Sequence, residues 1–415
     1  MKHPVAAPLC LVLLASRPLR VLRSAPRLLR PLRPLFLPLI ILCLPFLSHA
    51  NDGAFRAQGN QLIPMYETDI SVKKEVLTIR RINPTQARIE VYYEFFNPKE
   101  PKALEVGFEA FSPSGDIARP VGKDGQPYIT HFTVSLNGEA IPYKVSIVHD
   151  KLYYRNGQYK AMTLAEAKKV NDENDYVDFF YVYHFRSVFQ HGLNTIRHVY
   201  IVDLSSSVIE KYDLNYVLTA ARRWANKQID DFTLQIDMGE FQDISIGNTF
   251  FGNVSEWKTD SATKSLQLKG RDENGKGTDI SEFFIRKGMI VFTQKDFKPR
   301  GELHIHSFNN YYYTSAENAN TNANGSEDKY SEKFDSKKDR LPFSIELQTD
   351  ILPPADELSR KILHNLPFAR RGYLFKSPEI AAYYEKQKWY LPDPAYTPVL
   401  SGLTKEEQDW LTKTK

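Results

Sequence analysis

Ala87-Arg88-Ile89-Glu90-Val91-Tyr92-Tyr93-Glu94-Phe95-Phe96 reads as a β-strand. Its β-branched and aromatic residues suit a pleated, half-buried surface, and their partial alternation with charged residues gives one dry and one wet face. Asn83-Pro84-Thr85 precedes it as a turn, and Val76-Leu77-Thr78-Ile79 before that repeats the composition, so the two runs form an antiparallel pair. A second hairpin follows. Thr130–Leu136 alternates, Asn137-Gly138 supplies the positive φ angles of a tight turn, and Glu139–Val148 returns.

The same texture continues through Val177–Phe189, Thr195–Val202, Phe232–Met238, Leu266–Lys269, Met289–Thr293, Glu302–Phe308 and Phe343–Gln348. Only Thr163–Val170 looks helical within this stretch, with Thr163 able to cap and Glu166 three residues on. Many short strands with polar turns predict a mainly β body over residues 51–350, built like a β-sandwich, or as two in tandem joined near 150–176. Residues 309–340 break the pattern. Their Asn, Ala, Ser, Glu and Lys offer little to bury, which predicts a mobile loop inserted between strands.

The last part, 351–415, differs in kind. Leu358, Ile362 and Leu366 share one face of a helix over Ala355–Leu366. Ser377-Pro378-Glu379 starts a second, with Ser377 as cap and Pro378 in the first turn. Thr404 and Glu407 form a capping box for a third. Together they predict a small helical module.

Residues 1–50 contain no Asp or Glu and seven basic residues, from Lys2 to Arg33. An apolar run, Leu35–Leu47, leads into Ser48-His49-Ala50, which completes the three parts of a secretory signal peptide. At roughly thirteen residues, interrupted by Pro38 and Pro45, the run is short of the twenty or so that span a bilayer. The expectation is a cleaved signal and a mature chain without a transmembrane segment, exported to the periplasm or the cell surface; the alternative is an uncleaved anchor.

Of the chain's 54 basic and 50 acidic residues, cleavage removes seven basic ones, leaving 47 against 50, a net charge of −3. The basic isoelectric point therefore belongs to the signal, and no nucleic-acid partner is expected. Both cysteines, Cys10 and Cys43, leave with it, so disulfides, thiolate nucleophiles and cysteine-ligated metals are excluded from the mature chain.

Phe368-Ala369-Arg370-Arg371-Gly372-Tyr373-Leu374-Phe375, with Tyr383-Tyr384, Trp389-Tyr390, Pro392, Leu403-Thr404 and Glu407 at the following spacings, resembles the YARHG domain of exported bacterial proteins. Phe368 and Arg371 stand where that signature has Tyr and His. The resemblance implies an extracellular location more than an activity. The central region is similar to a secreted bacterial family of unknown function, through Asn51-Asp52 with Asp69–Ile79, Arg197-His198-Val199-Tyr200, and Tyr216-Val217-Leu218-Thr219 with Trp224 and Asp230–Asp237. That likeness implies a β-rich fold and no reaction.

Two histidine sets could ligate a metal. His184, His191 and His198 are spaced by seven; a hairpin centred on His191 would set His184 opposite His198 with β-carbons about 4.5–5.5 Å apart. The plain reading is a cross-strand pair bonded to backbone. His304 and His306 alternate on one face of a strand, about 7 Å apart, the pattern of many zinc sites and equally of ordinary strands; no carboxylate ligand can be assigned to them. In the C-terminal module, Arg370, Arg371, Tyr373, Trp389 and Tyr390 combine guanidinium groups with flat rings, a set suited to sugar rings or peptide carboxylates if exposed and to a core if not. No Gly-x-Ser-x-Gly elbow, P-loop or dinucleotide fingerprint occurs, and no cofactor is expected. The sequence points to a noncatalytic cell-envelope protein whose C-terminal module binds an envelope protein or cell-wall glycan. The alternative is a metal-assisted hydrolase using His184 with His198, or His304 with His306.

Overall fold

Trp257, Phe292, Leu234, Leu77, Val91, His198 and Val134 are register partners on seven neighbouring strands, and all seven are buried. Register partners point to the same side of a sheet, so this row fixes which face of the largest sheet is dry. The computed structural model describes residues 52–58, 61–65, 69–111, 125–149, 159–173, 179–206, 210–271, 277–308, 333–346 and 351–415. The expected signal peptide lies outside the described residues.

The largest sheet runs in the order β15 (Trp257–Lys258), β18 (Ile290–Phe297), β13 (Ile229–Asp237), β3 (Ser71–Asn83), β4 (Gln86–Asn97), β11 (Gly192–Asp203), β6 (Ile129–Leu136) and β7 (Glu139–Ala140). Among the described strands of this sheet, only β13 and β3 pair in parallel. A six-stranded barrel closes through β1 (Asp52–Gln58), β2 (Gln61–Met65), β9 (Tyr159–Met162), β8 (Lys144–His149), β10 (Phe179–Phe189) and β5 (Lys102–Phe111). A five-stranded sheet is ordered β12 (Glu210–Tyr216), β19 (Leu303–Phe308), β14 (Gln242–Gly247), β17 (Gly277–Ile285) and β16 (Thr263–Arg271).

Both smaller sheets cover the same dry face. At one end of the row Trp257 packs its ring 5.5 Å from Phe283 of the five-stranded sheet; at the other His198 packs 5.9 Å from Phe108 of the barrel. The body is therefore sandwich-like in two halves that share one continuous sheet. The opposite face stays wet, where Arg88 and Arg197 both pair with Glu90.

The segment around His191 corrects the hairpin expectation. β10 belongs to the barrel, pairing with β5 and β8, while β11 belongs to the large sheet, pairing with β4 and β6. Because β4 also continues into β5, a paired ribbon bends from one sheet into the other, the corner device of sandwiches. Two fully buried asparagines hold the corner. Asn97 donates to the Phe189 carbonyl at 3.1 Å, and Asn194 both accepts from and donates to the Gln190 backbone at 2.8 Å.

The helices are α1 (Leu164–Glu173), α2 (Glu357–Arg370), α3 (Pro378–Glu385) and α4 (Lys405–Lys413). The expected capping boxes at Thr163/Glu166 and Thr404/Glu407 are both formed. Ser377 sits at the cap of α3 without a side-chain cap bond, leaving Pro378 as the start signal. The last three helices pack on the outward face of the five-stranded sheet, against Phe284 and, partly buried, Leu266. That end of the molecule has three layers: large sheet, small sheet, helices.

Residues 333–346 differ from expectation. Phe334 and Asp339, read as the end of the mobile loop, are buried, and Phe334 bridges to Pro354; residues 309–332 lie outside the described residues. Phe343 and Ile345 are buried in the helical core without joining a sheet, and the Phe343 carbonyl accepts from the Arg370 guanidinium instead of from a neighbouring strand.

Candidate functional site

Helix α2 ends at Arg371 in a Schellman turn. The Gly372 amide donates to the Ala369 carbonyl at 2.9 Å and the Tyr373 amide to Phe368 at 3.0 Å, with Gly372 at φ +91°, the conformation that favours glycine. Arg370, the last helical residue, points inward and is 3% exposed. It donates to the Phe343 carbonyl and to Glu407, and its guanidinium lies 4.5 Å from the Phe241 ring centroid. Burial lowers its pKa to about 10, against the raising effect of Glu407. Arg371 donates to Glu407 at 2.7 Å and stacks 4.8 Å from the same Phe241 ring.

The aromatic residues carry the same message. Trp389 Nε1 donates to the Leu341 carbonyl at 2.8 Å, Tyr390 Oη to Tyr373 at 2.6 Å, and Tyr384 Oη to Ile362 at 2.6 Å. Trp389 and Tyr390 are buried and Tyr373 is half-buried against Phe375. Of the two roles the sequence offered Arg370, Arg371, Tyr373, Trp389 and Tyr390, the binding face is corrected in favour of the core. The polar tips of Arg370, Arg371, Trp389 and Tyr390 bond to backbone carbonyls and to Glu407, and the rings pack on one another and on Phe343, Phe375 and Tyr384.

Residues 348–415 match the family model of the YARHG domain. This C-terminal module is a YARHG domain. Its signature, as it stands here in Phe368–Gly372, is a helix end that locks the YARHG domain onto the sheet, with Phe241 from the body held between two guanidinium groups. Arg286 of β17's end adds a second tie, donating to the Arg370 carbonyl at 2.9 Å. No curated protein matches the chain. Among solved structures, a Legionella pneumophila protein proposed to bind nutrients is 15% identical over 89% of this chain and 100% of its own, at a TM-score of 0.41. A mutant of the Deinococcus radiodurans M1 zinc metallopeptidase is 10% identical over 57% of this chain and 42% of its own, at 0.23.

The histidines fall into two groups. His184, in the barrel, is buried between Glu105 Oε1 at 2.5 Å and Ser146 Oγ at 3.0 Å. His198 lies in the other sheet among Tyr93, Phe108, Phe132 and Tyr200, with ring centroids 5.9–6.2 Å away, and burial lowers its pKa to about 3. These two never converge, which corrects the first proposed metal pair.

His304 and His306 do converge. Both face outward on β19, with His306 Nε2 2.8 Å from His304 Nδ1. The neighbouring edge strand β12 adds what the sequence left unassigned. Asp213 Oδ2 lies 2.5 Å from His304 Nε2 and 3.0 Å from His306 Nδ1, and Glu210 Oε1 lies 2.9 Å from that same Nδ1. Burial pushes the Asp213 carboxyl up, but the hydrogen bonds and charges of the two histidines outweigh it and hold it at about 2. For His306, burial acts downward and is outweighed by Asp213 and Glu210, leaving its pKa raised.

The cluster belongs to the sheet face that carries the YARHG domain. Asp213, His306, Ser245, Glu282 and Leu266 are register partners across all five strands. Glu282 is met by Lys388 of the YARHG domain at 3.9 Å, and His306 lies two strands away, about 10 Å. No described helix is long and apolar enough to cross a membrane.

Proposed function

We propose that this is an exported bacterial cell-envelope protein that acts by binding and not by catalysis. The YARHG domain carries the reading. Such domains are extracellular modules, and this one is joined to the body through buried charge and rings, so it serves as one wall of a rigid binding body. The signal-like residues 1–50 support the address. The surface offered to a partner is the domain's exposed apolar set, Leu374, Val399 and Leu400, at 47%, 54% and 66% exposure; such side chains suit an envelope protein more than a glycan, which needs flat aromatic faces.

The alternative, metal-assisted hydrolysis, calls for a substrate cleft beside the metal. The cavity described in the body is lined by Val72, Tyr93, Leu218 and Trp224 among others, none of them a residue of the histidine cluster, and at about 10 Å³ it has room for roughly one water.

Cell fractionation with N-terminal mass spectrometry, followed by cross-linking in intact cells, tests the proposal. A chain starting near Asn51 outside the cytoplasm, with a cross-linked partner lost in a Val399→Asp/Leu400→Asp variant, is expected. A cytoplasmic product retaining Met1 would overturn it.

A further inference from the structure

We propose that Asp213, His304 and His306 form a binding site for one divalent transition-metal ion, with Glu210 placed to add a second carboxylate beside it. The ligand atoms these three residues can offer all lie within 4.8 Å of one another. Tetrahedral zinc, with bonds of about 2.0–2.2 Å to nitrogen and oxygen, sets its ligand atoms roughly 3.4 Å apart. The contacts of 2.5 Å and 3.0 Å around Asp213 Oδ2 need to open by less than an ångström. The 2.8 Å contact between His306 Nε2 and His304 Nδ1 must part, because both of those nitrogens carry protons once the other two ligate; small χ rotations supply these shifts.

Further features make the set ligand-like. The donor chemistry is right, since two imidazoles and a carboxylate suit zinc and its first-row neighbours. The backbone is fixed, because Asp213 and His306 are direct partners in the β12–β19 ladder and His304 follows at the same face. Charge also matches: two carboxylates, Asp213 and Glu210, balance one divalent cation with both rings neutral. Glu210 Oε1, 2.9 Å from the same His306 Nδ1 that would ligate, is close enough to add a second carboxylate oxygen to the ion's shell. Access is open, with the His304 side chain 38% exposed, so an ion can enter from solvent and water can complete its shell. The bland account is a hydrogen-bonded patch that merely ties an edge strand down, and it makes a different prediction.

The test uses the untagged, purified protein, stripped with a chelator and titrated with zinc by calorimetry and with cobalt by visible absorption. One equivalent per chain is expected, with a tetrahedral-type cobalt spectrum, and a His304→Gln/His306→Gln double variant should lose that equivalent. Glu210→Gln, which removes the second carboxylate charge from the site, should weaken binding by about tenfold or more while keeping the stoichiometry. No equivalent in the natural protein, or a full equivalent retained by the double variant, would overturn the site. Should the double variant fail to fold, Asp213→Asn decides: an altered cobalt spectrum supports the site and an unchanged one rejects it.

Discussion

Arg370 and Glu407 meet at 3.1 Å inside the YARHG domain, one at the end of α2 and the other in the first turn of α4. Glu407 is fully buried and serves three partners. Besides both arginines it closes the capping box by accepting from the Thr404 amide at 2.9 Å. A buried carboxylate is tolerable only when its lone pairs are filled, and here they are.

Glu407→Ala would leave Arg370 buried beside a void. Breaking a buried pair by deleting one partner costs about 3–5 kcal/mol, so the variant should unfold at markedly lower urea. Glu407→Gln, which keeps an acceptor, should fall between. A loss under about 1 kcal/mol, the range of exposed pairs, would show that the cluster contributes little.

Gly372→Ala addresses the signature glycine. An alanine there pays the left-handed penalty of about 1–2 kcal/mol, and its Cβ would sit 2.7 Å from the Leu391 carbonyl oxygen and 2.9 Å from Asp393 Cβ. Gly372→Asn, tolerant of the φ angle but not of the crowding, separates the two effects. If asparagine matched glycine in thermal stability, crowding would be irrelevant.

Trp410 and Pro367 should be coupled. Proline has no N–H to donate to the residue four back, and the apolar spacing in the sequence carries the helix only over Ala355–Leu366. The helix nonetheless runs to Arg370, because Trp410 Nε1 donates to the freed Leu363 carbonyl at 2.7 Å. Trp410→Phe should therefore cost about 1–3 kcal/mol for the unsatisfied carbonyl beyond any packing loss. Pro367→Ala restores a backbone donor, so the double variant should be more stable than the sum of the two singles; strict additivity in this cycle would remove the coupling.

What the sequence conveyed was local. The strand at Ala87–Phe96, the Asn137-Gly138 turn and the Thr163/Glu166 and Thr404/Glu407 boxes are all decided within a few residues, and all are present. The sheet corner was not legible: a polar turn with Gly192 looks alike whether the chain doubles back or changes sheets, and what decides is the buried bonding of Asn97 and Asn194. Asp213 stood 91 residues from its histidine, joined only through register. Its alternation with Tyr212, Leu214 and Tyr216, all buried, was the one available hint that it faced outward. For the YARHG domain's arginines and rings the sequence leaves both roles open, because composition cannot tell a face from a core.

His198 gives the chain an acid sensitivity that can be isolated. In the unfolded chain a histidine titrates near 6.5, whereas burial among four aromatic rings holds the folded one near 3. Between those values the unfolded state binds the extra proton, so stability falls on acidification, by up to about 1.4 kcal/mol per pH unit, and this contribution is fully present only above about 6.5. His198→Phe, similar in shape and set among Phe108, Phe132, Tyr93 and Tyr200, carries no proton. Urea unfolding at pH 7, 6, 5 and 4 should show the difference between natural protein and variant shifting steadily in the variant's favour as pH drops. Parallel curves across that range would mean that His198 is protonated, or equally solvated, in both states, and the dry row on which the two sandwich halves close would have to be wet at that point.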